Sequence, residues 1–173
     1  MEPFGGSDLQ GRAESYSESL VSLGAAPLCQ SDASDDLVQV LWLPSFDPTV
    51  SVRLRLGPGP DSLVARTSET ATDELSSTPE VTVAVVDSAS VAEFVRVFGK
   101  SDFWTTPTEP EPYADWTCTD GAQVVVERLV SGRYHVVSRH SCEWKGAKGT
   151  QRLAAWLLAQ SGTVTPEVLQ SYW

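Results

Sequence analysis

The chain has 173 residues, 41% of them apolar, enough to bury one substantial core, and ordinary domain sizes favour one domain over two. No run approaches the roughly eighteen apolar residues of a membrane span, and the opening Met1-Glu2-Pro3-Phe4-Gly5-Gly6 has neither the basic region nor the apolar stretch of a leader, so a soluble, cytoplasmic protein with no membrane contact is expected. The net charge of −11 is lopsided, with 6 basic and 19 acidic side chains in residues 1–119 against 6 and 4 in 120–173; such a field repels nucleic acid and attracts a basic protein partner.

Residues 1–12, rich in Gly and polar side chains, read as a flexible N-terminus, with a single domain over 13–173. A first helix is expected from a capping box of Ser15 and Glu18, with Tyr16, Leu20 and Leu23 on one face and Gly24 as the stop. After the Ser/Asp-rich loop 31–36, Leu37–Leu43 and Val50–Leu56 read as two antiparallel strands. The second alternates, with Val50, Val52, Leu54 and Leu56 facing one way and Ser51, Arg53 and Arg55 the other. Turn 57–61 leads to a third strand, Ser62–Thr67, and a polar stretch, 67–79, leads to a fourth, Glu80–Val86.

The next helix has a capping box of Ser90 and Glu93, a core stripe of Val91, Phe94, Val95 and Phe98, and Gly99 at its end. Residues 105–116 read as a loop. Thr150 is placed as the cap of a helix with an apolar stripe of Leu153, Trp156 and Leu157, and Thr165-Pro166 starts a short tail helix that docks Val168, Leu169 and Trp173. Strands and helices alternate without a regular βαβ rhythm. The expected fold is α+β: one antiparallel sheet of five or six strands packed against two or three helices.

Between the loop and the last helices lies a hairpin running from Asp120-Gly121 through Glu127 and Ser131-Gly132 to Tyr134, His135 and Arg139. Glycine in the third place of Val130-Ser131-Gly132 suits a three-residue loop closed by Leu129 and Arg133. That register opposes Glu127 to His135 and Gln123 to Arg139, and turns Arg128 toward Tyr134. A two-residue Ser131-Gly132 loop instead gathers Arg128, His135 and Arg139 on one face. A carboxylate beside an imidazole can tune it for acid–base work, and a neighbouring Arg can hold an anion. The plainer reading is a cross-strand pair that fixes register, worth roughly 0.2–1 kcal/mol. No nucleophile, metal or cofactor motif converges on these residues, so Glu127, His135 and Arg139 are candidates for catalysis without an assigned reaction.

Cys29, Cys118 and Cys142 form no metal or redox pair. Cys118 and Cys142 flank the hairpin as possible neighbours, but three reduced thiols are the simpler expectation. Trp42 and Trp104 are read as core or core-edge residues, and Trp116, Trp144 and Trp173, among polar neighbours, as partly exposed.

The assembled motifs resemble those of a widespread bacterial family of uncharacterised proteins. The matching residues are Leu41-Trp42-Leu43, Ser45-Phe46, Pro48 and Val52-Arg53; Phe103-Trp104 and Pro107; and Asp120-Gly121, Glu127, Gly132, Tyr134-His135-Val136-Val137, Arg139 and Ser141. The similarity covers about residues 37–160. Val124, Ser138, His140 and Cys142 depart from it, standing where Trp, Asp, Trp and Pro are the pattern. The resemblance brings no activity or cofactor. It implies a single domain and marks Asp120, Glu127, Tyr134, His135 and Arg139 as binding residues to test. The leading expectation is a noncatalytic bacterial protein-interaction module, of the inhibitor or immunity type, using an acidic surface. The alternative is a small enzyme or ligand binder working at the Glu127/His135/Arg139 face.

Overall fold

Apolar alternation in the middle of the chain assembles a six-stranded antiparallel sheet in the order β4-β3-β2-β1-β5-β6. Its strands are β1 (Asp36–Pro44), β2 (Val50–Leu56), β3 (Ser62–Thr67), β4 (Glu80–Val85), β5 (Ala122–Val130) and β6 (Arg133–His140). The protein is described by a computed structural model over residues 7–57, 59–68, 78–110 and 120–172. The first four strands form a meander, and the β5–β6 hairpin joins its free side by pairing with β1. With its helices the sheet makes one α+β domain, and among the described residues no helix is long and apolar enough to cross a membrane.

One face of the sheet is covered by helices α2 (Ser88–Phe98), α3 (Lys148–Gln160) and α4 (Pro166–Tyr172). Val38, Val40 and Trp42 of β1, Val52 and Leu54 of β2 and Val124 and Val126 of β5 pack there with Phe94, Leu153 and Leu157. Each such aliphatic burial stabilises by about 1.5–3 kcal/mol. Gly149, at the start of α3, lies so close to the backbone of Ser101 that an added Cβ would fall 2.6 Å from its Cα. The opposite face is covered over β1, β5 and β6, where α1 (Ser7–Ser22) and the residues following it lay Tyr16, Leu20 and Leu23 on Leu41, Val125 and Val136. A 3-10 turn, Leu28–Gln30, then sets Leu28 against Leu37 and Leu129.

Several local expectations are corrected. The first helix begins at Ser7, inside the stretch read as flexible, and Ser15 lies within it, its carbonyl accepting a hydrogen bond from Ser19 Oγ. In α2 the cap is Asp87, whose carboxylate accepts from the Ser90 amide at 2.7 Å; an ionised cap accepts more strongly than the serine three residues on. Its buried stripe centres on Phe94 with Val97 and Phe98 beside it, leaving Val95 on the solvent side at 60% exposure. Thr150 is buried inside α3 instead of capping it, and Trp144 is buried in the core. Trp42 is buried and Trp104 lies at the core edge, while Trp116 and Trp173 fall outside the described residues.

Candidate functional site

The hairpin turns through two residues. Ser131 at φ +50° and Gly132 at φ +72° are both left-handed, the geometry of a tight turn whose twist matches its strands. Val130 therefore pairs with Arg133, Arg128 with His135, Glu127 with Val136 and Val124 with Arg139. This overturns the three-residue loop. Because side chains alternate across a sheet, a slip of one residue exchanges faces, and Glu127 lies on the opposite side of the sheet from His135 and Arg139. The three candidate residues do not converge.

Glu127 sits beneath the 3-10 turn, 4% exposed. Its carboxylate accepts from Gln39 Nε2 at 2.7 Å, the Tyr134 hydroxyl at 2.7 Å and the Leu28 amide at 3.1 Å. Gln39 in turn accepts from Arg53 Nε at 2.8 Å, and the Arg53 guanidinium also donates to the Ala26 carbonyl. Burial raises the Glu127 pKa above the usual carboxylate range, with the three donors pulling it back. Burial and the Glu127 charge hold Tyr134 protonated far above its ordinary range. On Arg53 burial lowers the pKa, Glu127 raises it and the nearby Arg66 adds repulsion. The network clamps the turn to the sheet. The alternation of β2, which turns Arg53 away from Val52 and Leu54, gives no sign of this network; the signal was Gln39, a lone amide within the apolar run of β1.

On the other face, His135 Nε2 lies 2.8 Å from the Thr106 carbonyl, which can only accept, so this nitrogen carries a proton. The imidazole packs against Phe103 and Trp104, with centroids at 5.1 and 6.1 Å. Arg128 lies over Phe98 at 5.3 Å, donates to the Leu37 carbonyl and pairs with Asp36. Arg133 stacks on Trp104 at 4.0 Å. Arg139 donates to the carbonyls of Pro107 at 2.8 Å and Thr108 at 3.0 Å, while the Ser138 amide donates to Thr108 at 2.7 Å. The Phe103-Trp104 and Pro107 element thus runs along the outer edge of β6, and the His and Arg of the hairpin hold it there.

Asp120 is exposed just before β5. Its neighbour Gly121, at φ +136°, has no room for a side chain, since an added Cβ would fall 2.3 Å from Ser141 Oγ. The Gly121 carbonyl accepts from both the amide and the hydroxyl of Ser45. Cys142 is disulfide-bonded, which corrects the expectation of three reduced thiols; Cys29 is an exposed free thiol, and Cys118 lies outside the described residues. Among the described residues no group of three or more His, Cys, Asp or Glu side chains is placed to hold a metal ion.

The surface that sequence reasoning passed over is the other edge of the sheet. Every residue of β4 is exposed, with Val81 at 52%, Val83 at 66% and Val85 at 76%. The Val86 amide donates to Asp61 of the β3 side at 2.9 Å. By alternation Ala84 and Thr82 also turn their backbone groups toward β3, while Val81, Val83 and Val85 turn theirs outward. Among the described residues no strand lies beyond β4. Alternation in Glu80–Val85 marks a strand, but it carries no sign of which strand ends the sheet.

No protein-family model matches the chain, and no curated protein matches it in sequence.

Proposed function

We propose that this protein is a noncatalytic protein-interaction module that receives its partner at the open edge of the sheet. The observation that carries this reading is β4: three consecutive outward-facing backbone positions, each bearing an exposed valine. A strand in that state is a template for a further strand, and natural sheets usually shield it with charge, bulges or a covering loop. The hairpin supports the same reading from the other side. Glu127, His135 and Arg139 face two ways and are engaged by the turn at Leu28 and by residues 106–108, an arrangement that favours a structural role for them. The overall acidity favours a basic partner at long range, but the charged side chains that share the valines' rows on this face are Arg53, Arg55 and Arg66, so contact there follows a different rule from the net charge.

The test is capture from native lysate with wild type and with Val83→Pro. Proline at this position removes an outward amide and none of the ladder to β3, so the fold is expected to persist, as circular dichroism and the melting temperature would verify. Capture by wild type and its loss in the proline variant is the expected result. Capture that survives Val83→Pro and disappears on neutralising exposed acids of residues 1–119 would return the interaction to the acidic surface.

A further inference from the structure

The sheet face behind β4 has a chemistry that narrows the partner. Paired registers place its residues in three rows running to the edge: Ser51, Arg66 and Val81; Arg53, Val64 and Val83; Arg55, Ser62 and Val85. Each row carries one arginine and ends on an exposed valine. The hydrophobic contacts of α1 lie over β1, β5 and β6, and Val64 is half-buried. Arg53 is engaged by Gln39 and Ala26, but among the described residues neither Arg55 nor Arg66 is in an ion pair. In a chain with 23 acidic and 12 basic side chains, cations are here gathered on one partly apolar face.

Resting on the edge-docking reading above, we infer that the occupant is an extended segment of a partner protein whose inward-facing side chains alternate acidic and apolar. Added antiparallel or parallel to β4, such a segment pairs its backbone with Val81, Val83 and Val85. Its residue beside Val81 lies two strand spacings, roughly 10 Å, from the Cα of Arg66, within the combined reach of a glutamate and an arginine. The carboxylate crosses over Val81 to the Arg66 guanidinium, and an apolar side chain beside Val83 continues the Val64–Val83 row. A basic segment meets the same arginines as like charge and is rejected.

The probe is the fluorescein-labelled peptide Thr-Glu-Thr-Val-Thr-Glu-Thr, compared by anisotropy with the same peptide carrying Lys for Glu, at low salt and in 1 M salt. Wild type is expected to bind the Glu peptide at least fivefold more tightly, with the preference collapsing in 1 M salt as the Debye length shrinks to about 3 Å. Arg66→Glu, shown to remain folded, is expected to reverse the preference, and Val83→Pro to abolish both interactions. Equal or tighter binding of the Lys peptide overturns the acidic occupant while leaving the edge as a docking site. Binding of neither peptide by a protein that sediments as a monomer overturns edge docking itself. Sedimentation of wild type as a dimer that Val83→Pro dissolves, without peptide binding, makes a second copy of the chain the occupant and overturns the inference.

Discussion

The two edges of this sheet are finished in opposite ways. Along β6, residues 106–108 lie against the strand, with the Ser138 amide, the Arg139 guanidinium and the His135 ring all bonded to loop carbonyls. Along β4 the valines are exposed, and among the described residues no strand pairs with their outward backbone groups. His135 and Arg139 are engaged in closing the β6 edge and Glu127 in clamping the turn at Leu28, while the exposed side chains of β4 include plain valines. A cluster of ionisable residues in a sequence is as well explained by the need to finish an edge as by catalysis.

If the closed side is held by its polar residues, breaking Glu127 should have the largest effect. Glu127→Ala leaves three donors, from Leu28, Gln39 and Tyr134, without their buried acceptor, and each orphaned buried group costs about 1–3 kcal/mol. A loss of about 3 kcal/mol or more is expected in urea unfolding, together with increased exchange of the Leu28 amide. Stability within about 0.5 kcal/mol of wild type would show that the clamp is not needed. Arg139→Ala should follow, at about 1.5–3 kcal/mol for hydrogen bonds to a charged donor. Its distinguishing sign is faster hydrogen exchange at Ser138, whose amide is covered by Thr108, with β4 amides unchanged.

These residues also mark where the sequence is legible and where it stops. The alternation of Val50–Leu56 and the stripe Tyr16, Leu20 and Leu23 carry the hydrophobic pattern directly, and both fold as read. The hairpin register does not lie in that pattern: two-residue and three-residue turns both accept Ser131-Gly132, and the choice rests on Ser131 adopting a left-handed φ, which costs a residue with a side chain little enough to be offset by strand pairing. One residue of slip then carries Glu127 to the face opposite His135 and Arg139. The position of β4 is hidden for a different reason. Strand order follows from which hydrogen-bonding edge β5 takes, a contact between segments some eighty residues apart, and nothing local to Glu80–Val85 encodes it.

A pH dependence sharpens the comparison without perturbing packing elsewhere. Burial raises the folded-state pKa of Glu127 above its unfolded value near 4.3. The folded protein thus holds this proton more tightly than the unfolded chain, so the contribution is fully present below the unfolded pKa and is lost as pH rises through the folded one. The stability difference between wild type and Glu127→Gln, followed by urea midpoints from pH 4 to 8, should shift against wild type with rising pH and then level off. A flat difference would mean that the three donors balance desolvation, and a shift in favour of wild type that they outweigh it.

The smallest expected effect is the most discriminating between the edges. Val83→Thr changes a side chain that is 66% exposed on β4, and Val137→Thr makes the same change on β6 at a side chain that is fully buried. In the core the new hydroxyl must give up water among apolar neighbours, at a cost of about 1–3 kcal/mol; at the open edge it stays hydrated, and a change within about 0.5 kcal/mol is expected. Because threonine keeps both the β-branched shape and the outward amide, Val83→Thr should also retain backbone pairing to an added strand while losing only the apolar part of the contact. If it destabilised the protein as much as Val137→Thr does, β4 would have to be covered in solution, and the asymmetry between the two edges would vanish.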